Sequence, residues 1–206
     1  MQLYKHYLNA GIPSAYQRLS WSDYDPKSDQ QALQLVKGYL SKPEQFVRGG
    51  VGLVFLGEFG TGKTMLMELL LKELLKRGYS VYSTTFVRLI EMHTAGWKSS
   101  EEKIFYERKA VKSEVLYLDD PGKELETKLA TPVLDAILRE RTQFSRPTFM
   151  SSNFREEEIE ERYGPAVASL VSESSIVHNV TGTDYRKKAR SRKFHDVSEG
   201  LVRPIV

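Results

Sequence analysis

The sequence predicts an α/β fold, a parallel sheet with helices on both faces, from three observations. Short runs that are apolar throughout alternate with helical segments, the first such run leads straight into a glycine-rich loop, and no repeat or long linker divides the chain. A strand buried on both faces has no polar side, so continuous apolar runs point to a parallel sheet rather than a half-exposed one.

Composition narrows the function classes. At 206 residues and 40% hydrophobic content, one domain is expected, large enough to bury roughly 70% of its unfolded surface. The absence of cysteine excludes disulfides, thiolate metal sites and a cysteine nucleophile, and four scattered histidines argue against zinc. A net charge of +3 is too small to imply nucleic-acid binding without local clustering. No apolar run approaches bilayer length and the first ten residues lack a signal-peptide core, so a cytoplasmic protein without membrane contact is expected.

In chain order, residues 1–48 are polar and aromatic, with turn signals at Gly11-Ile12-Pro13 and Asp25-Pro26 and a helix-like stretch over 29–40. They read as an N-terminal lead-in; residues 49–195 form the main domain and 196–206 a C-terminal tail. After Gly49-Gly50, residues 51–56 read as a buried strand. Residues 63–77 read as a helix, with Leu66, Leu69, Leu70 and Leu74 at helical spacing and Gly78 as its C-terminal cap. A strand over 79–86 and a helix over 87–94 precede a polar stretch, 95–112, and a third strand, 115–118, ends in Asp119-Asp120. Thr131-Pro132 signals a helix over 133–144, because proline at a helix start lacks only an N–H that would have no partner. A fourth strand over 147–152, an acidic helix over 155–163 and a last strand over 175–180 complete the reading, and 186–193 is the strong charge run.

The chemistry centres on Gly57-Glu58-Phe59-Gly60-Thr61-Gly62-Lys63-Thr64, followed by Met65. Small residues at this spacing let backbone N–H groups wrap phosphate oxygens, and the next helix points its positive end at them. Lys63 would reach the β- and γ-phosphates of ATP, and the Thr64 hydroxyl would ligate Mg2+. Asp119 would hold the magnesium directly or through water, while Asp120 would orient and deprotonate the attacking water. Asp-Asp-Pro-Gly is also good turn chemistry. Asn153 stands where an amide meets the γ-phosphate or the nucleophilic water; capping the acidic helix is the alternative. Two nucleic-acid features stay open in the same way. The basic run Arg186-Lys187-Lys188-Ala189-Arg190-Ser191-Arg192-Lys193 suits DNA phosphates or a solvated tail. Phe105 and Tyr106, interleaved with Lys103, Arg108 and Lys109, suit stacking on single-stranded bases or amphipathic packing.

With these motifs in order, most of the chain resembles the DnaC/DnaI/IstB group of AAA+ ATPases, bacterial and phage helicase loaders and related transposition helpers. Ala10-Gly11-Ile12-Pro13 with Tyr16 and the aromatic stretch 21–26 resembles the group's lead-in. Leu118-Asp119-Asp120-Pro121-Gly122-Lys123-Glu124 resembles its Walker B region, and Arg146-Pro147-Thr148 through Asn153 its sensor 1 strand. Asp184-Tyr185-Arg186 resembles its closing arginine element, making Arg186 a candidate γ-phosphate sensor. The resemblance implies an AAA+ P-loop NTPase core with the lid reduced or absent, nucleotide-dependent homo-oligomers on single-stranded DNA, and delivery of a replicative DnaB-type helicase. It puts residues 86–112 in the place of extra initiator-type helices, which favours DNA contacts at Phe105, Tyr106, Arg108 and Lys109.

Two departures stand out. The group's loaders usually carry an N-terminal helicase-binding domain, whereas here the lead-in begins almost at Met1, as in a truncated or phage-type form. Leu170 stands where the group has its arginine finger, with Arg162 the nearby substitute. Such arginines are worth roughly 10³–10⁵ in rate, so slow ATP hydrolysis is expected. Alternative readings are a transposition helper of the IstB type and a non-hydrolysing, ATP-bound module that captures or inhibits a helicase.

Overall fold

The computed structural model describes residues 2–25, 29–123, 127–201 and 204–205. Pro26, Glu124 and the side chains of Lys187, Lys188, Arg192 and Lys193 lie outside the described residues, so the expectations that rest on them are left there. Among the described residues four α-helices, α1 (Gln2–Asn9), α2 (Ser14–Gln17), α3 (Gln30–Ser41) and α4 (Pro43–Arg48), and a 3-10 turn at Trp21–Asp23 precede the first strand. Asp29 starts α3, its carboxylate accepting the Ala32 N–H at 2.9 Å. The second Asp29 oxygen accepts the Thr181 N–H at 2.9 Å, tying this helix to the chain after the last strand.

The strands are β1 (Gly52–Leu56), β2 (Val81–Thr85), β3 (Val115–Asp119), β4 (Thr148–Ser151) and β5 (Ser175–Asn179). They form one parallel sheet in the order β2-β3-β4-β1-β5. Helix α5 (Lys63–Lys76) follows β1, and α6 (Phe86–Ala95), α7 (Ser100–Tyr106) and a π turn at Glu107–Val111 lie between β2 and β3. Then come α8 (Ala130–Gln143), α9 (Glu156–Tyr163), α10 (Pro165–Ser174) and, after β5, α11 (Arg186–Ser198).

Successive strand residues feed two cores. Leu53 and Phe55 pack with α3 and α5 on one face, Val54 and Leu56 with α6, α8 and α10 on the other. The polar and aromatic N-terminal segment supplies Tyr7, Ile12, Tyr24 and Tyr39 to the first of these cores. Because β4 lies between β1 and β3, Ser151 pairs in register with both Phe55 and Asp119. The carboxyl ends of the three central strands therefore meet at one edge, where the chemistry-bearing residues lie.

Two local expectations are corrected. Helix α8 begins at Ala130, so Pro132 is its third residue, still within the turn where no N–H partner is needed. Helix α10 was not anticipated: its small residues give little apolar period, and its signal is Gly164, at φ 84°, followed by Pro165 at the first helical position.

Candidate nucleotide site

The loop joining β1 to α5 turns on three glycines with positive φ: Gly57 at 120°, Gly60 at 76° and Gly62 at 94°. Two are also confined: a Cβ on Gly57 would stand 2.5 Å from the Val180 carbonyl oxygen, and one on Gly60 2.0 Å from the Asp184 carboxylate. The loop is tethered on both sides, with Gly57 N–H donating to Phe154 O at 3.2 Å and Tyr185 N–H to Gly60 O at 3.1 Å.

Lys63 opens α5 and is buried, its ammonium donating to the carbonyls of Gly57 and Glu58 at 2.7 Å each and to Asn153 Oδ1 at 3.2 Å. Burial pulls its pKa down, while Asp120 and Asp119 push it back up. Thr64 donates to Asp119 Oδ1 at 3.1 Å, and the same oxygen accepts from Ser151 Oγ and, at 2.8 Å, from the Tyr117 hydroxyl. Burial and the neighbouring Asp119 hold Tyr117 well above its usual pKa, so it stays a donor.

Asp120 sits at φ 52°, and its N–H donates to Ser151 O at 2.8 Å. Its Oδ1 accepts from Asn153 Nδ2 at 3.2 Å, and its Oδ2 pairs with Lys123. Lys123 N–H also donates to Asp120 O at 3.3 Å, so Asp120-Pro121-Gly122-Lys123 forms a turn directly after β3, which ends at Asp119. The capping reading of Asn153 is corrected. Helix α9 starts at Glu156, with Arg155 N–H donating to Glu158 Oε2 at 2.6 Å, while the Asn153 amide is committed to Lys63 and Asp120.

The residues present fit ATP with magnesium. A helix start with confined glycines suits phosphate, and a hydroxyl beside a carboxylate is an oxygen donor set suited to a hard cation. Glu58, Phe59 and Thr61 shape the loop, Thr61 Oγ1 donating to Glu58 O at 3.0 Å, and half-buried Met65 packs against the core on the α3 side. Arg186 opens α11 with its guanidinium 5.9 Å from the Phe59 ring centroid. Arg162 lies in the last turn of α9, and Leu170 packs half-buried against the core.

The expected stacking surface is corrected. Tyr106 is buried, its ring 5.2 Å from that of His93, and Phe105 packs against the core. Lys109 donates to Asn9 O and lies over the Tyr82 ring; of the four residues only Arg108 is exposed. Trp97 and Ile104, each 65% exposed, are the apolar side chains most open to solvent in residues 86–112. Sequence reasoning gave no role to Tyr117, Ser151, Lys123 or Tyr24, whose ring abuts Gly62. For Tyr117, Ser151 and Lys123 the signal was a place in or just after a strand, which is shared by many residues without a role, and Tyr24 left none.

Residues 4–193 match the family described as IstB-like ATP binding protein. The replicative helicase loader DnaC of Escherichia coli (strain K12) is 25% identical over 200 residues, 94% of this chain and 80% of that protein. The replicative helicase loader DnaI of Bacillus subtilis (strain 168) is 34% identical over 118 residues, 55% of this chain and 37% of that protein. Among solved structures, the crystal structure of the DnaC helicase loader superposes with a TM-score of 0.73 at 24% identity, covering 82% of this chain and all of that one. The fold is that of the AAA+ P-loop proteins. Among the described residues no helix is long and apolar enough to cross a membrane.

Proposed function

This chain belongs to the IstB-like ATP binding protein family, and from that premise we propose that it is an ATP-dependent loader of a replicative hexameric helicase, acting on single-stranded DNA. The observation that carries the ATP-dependent part of the reading is the hydrogen-bonded series Lys63–Asn153–Asp120, with Thr64 and Asp119 beside it, and the similarity to DnaC over 94% of the chain supports the loader part. It links the phosphate loop to a carboxylate able to accept a proton from water.

Lys63, with the loop N–H groups, binds the phosphates; Thr64 and Asp119 are the residues that would hold magnesium, which would neutralise phosphate charge. Asp120 takes the proton of the attacking water, and Asn153 keeps its carboxylate aimed. Arg186 and Asn153 sense the terminal phosphate, and its loss relaxes the DNA-binding arrangement. Arg162 is the arginine offered to a neighbouring copy in a nucleotide-dependent homo-oligomer. Hydrolysis is slow, because Leu170 supplies no charge. On the DNA side, exposed Trp97 and Ile104 beside Lys98, Lys103 and Arg108 support stacking and phosphate contact better than buried Tyr106 does.

The test is a pull-down with a replicative hexameric helicase in the presence of ATP, ADP or neither. Retention favoured by ATP is expected; no retention under any nucleotide condition overturns the reading. The second reading that the sequence resemblance implies, a transposition helper of the IstB type, would be supported by stimulation by a transposase rather than a helicase.

A further inference from the structure

Lys123 lies in the Walker B-like stretch without a role of its own there, yet its ammonium sits on the carboxylate assigned as the base. Its Nζ pairs with Asp120 Oδ2 and lies 5.6 Å from the centroid of the Phe59 ring, within the phosphate loop. The Arg186 guanidinium lies 5.9 Å from the same centroid. A ring that is 51% exposed thus holds two cations, one from the turn after β3 and one from the start of α11, at the mouth of the loop.

The backbone beneath Lys123 is fixed while its side chain is free to exchange partners. Gly122 takes φ 103°, where a Cβ would stand 2.2 Å from the Phe154 ring, and Ser152 Oγ donates to Pro121 O at 2.6 Å. The Lys123 side chain is 50% exposed, and an ammonium–carboxylate pair so open to water is weak. A triphosphate carries several negative charges against the single charge of Asp120, so it competes well for the ammonium. The exchange also leaves Asp120 Oδ2 unpaired, which a general base requires. No cation is available from position 170, since Leu170 packs on the core.

We propose that Lys123 is a terminal-phosphate contact supplied in cis, which moves from Asp120 to a bound nucleoside triphosphate and so distinguishes it from a diphosphate. This rests on the ATP reading of the loop. Arg186 and Lys123 then approach the phosphates from the two elements that Phe59 brings together.

The test is equilibrium binding of Mg·ADP and of a magnesium-bound, non-hydrolysable ATP analogue to the full chain, with Lys123→Met and Lys123→Arg variants. Methionine keeps an apolar stem against Phe59 and removes the charge. The expected result is an analogue affinity about tenfold weaker in Lys123→Met, with ADP affinity unchanged within about twofold and analogue affinity restored in Lys123→Arg. Equal losses for both nucleotides, or no loss for either, overturn the proposal and leave the ATP reading standing. A wild-type chain that binds neither nucleotide overturns both.

Discussion

The Lys63 ammonium donates to the side-chain oxygen of Asn153 at 3.2 Å, a bond between residues ninety positions apart. The Asn153 amide nitrogen then donates to Asp120. One amide so fixes both the cation of the phosphate loop and the carboxylate at the end of β3, using the two chemically different ends of its side chain.

Asn153→Ala removes both bonds and strands no helix N–H, because Arg155 and Glu158 close α9 without it. ATP hydrolysis is expected to fall on the order of 10²-fold, as when a positioned active-site donor is lost. Thermal stability is expected to hold, whereas loss of a true cap costs about 1 kcal/mol. Single-turnover hydrolysis and a melting curve on the same preparation check both halves.

Gly60→Ala forces a methyl onto the Asp184 carboxylate, which accepts the Arg186 N–H at 2.9 Å. The start of α11 must shift with it. A nucleotide affinity at least about tenfold weaker is expected by calorimetry. Gly78→Ala is the control: φ there is 91°, but a methyl meets open space. It is expected to cost about 1–2 kcal/mol of stability from backbone strain and to leave affinity unchanged.

How far the sequence was legible follows from where the information lies. The strand order β2-β3-β4-β1-β5 is long-range pairing that composition cannot reveal, yet β1 and β3 were visible because burial on both faces leaves an unbroken apolar run, and β2 from its Val, Tyr and Thr content. The phosphate loop was visible because its glycines and lysine are contiguous. Asn153 was visible as a position but not as a bond, since its partners Lys63 and Asp120 come from two other strand ends. Tyr106 was misjudged because seven residues of α7 hold too few turns to fix which side is buried.

Arg141 left no readable signal, because an arginine in an amphipathic helix normally faces water. Here it is fully buried and bonds the carbonyls of Ala110, Val111, Ser113, Glu114 and Pro147 together with the Thr148 hydroxyl. Burial lowers its pKa to about 9. Arg141→Met strands several buried carbonyls at once, so a loss of roughly 3 kcal/mol or more is expected from denaturant unfolding. A loss under 1 kcal/mol would refute this role.

Glu68, one turn beyond Thr64, is buried, with Oε1 accepting from Ser83 at 2.6 Å and Oε2 without a partner. Burial raises its pKa to about 8 from 4.5. The folded state therefore holds a proton that the unfolded state has lost between those values, and stability falls as pH rises through that window. Relative to Glu68→Gln, the wild type is expected to lose roughly 2–3 kcal/mol between pH 5 and pH 7. Lys72, lowered to about 8 by burial, acts in the opposite sense and only above that pH. Parallel stability profiles for the two proteins would contradict the assignment.

The most direct test of the nucleotide site is a calorimetric titration of ATP, with and without magnesium, into the wild type and Lys63→Ala. One site per chain is expected, tighter with magnesium and at least about tenfold weaker in the variant. Absence of binding, or equal binding by both proteins, would contradict the assignment of Gly57 to Thr64 as the phosphate cradle.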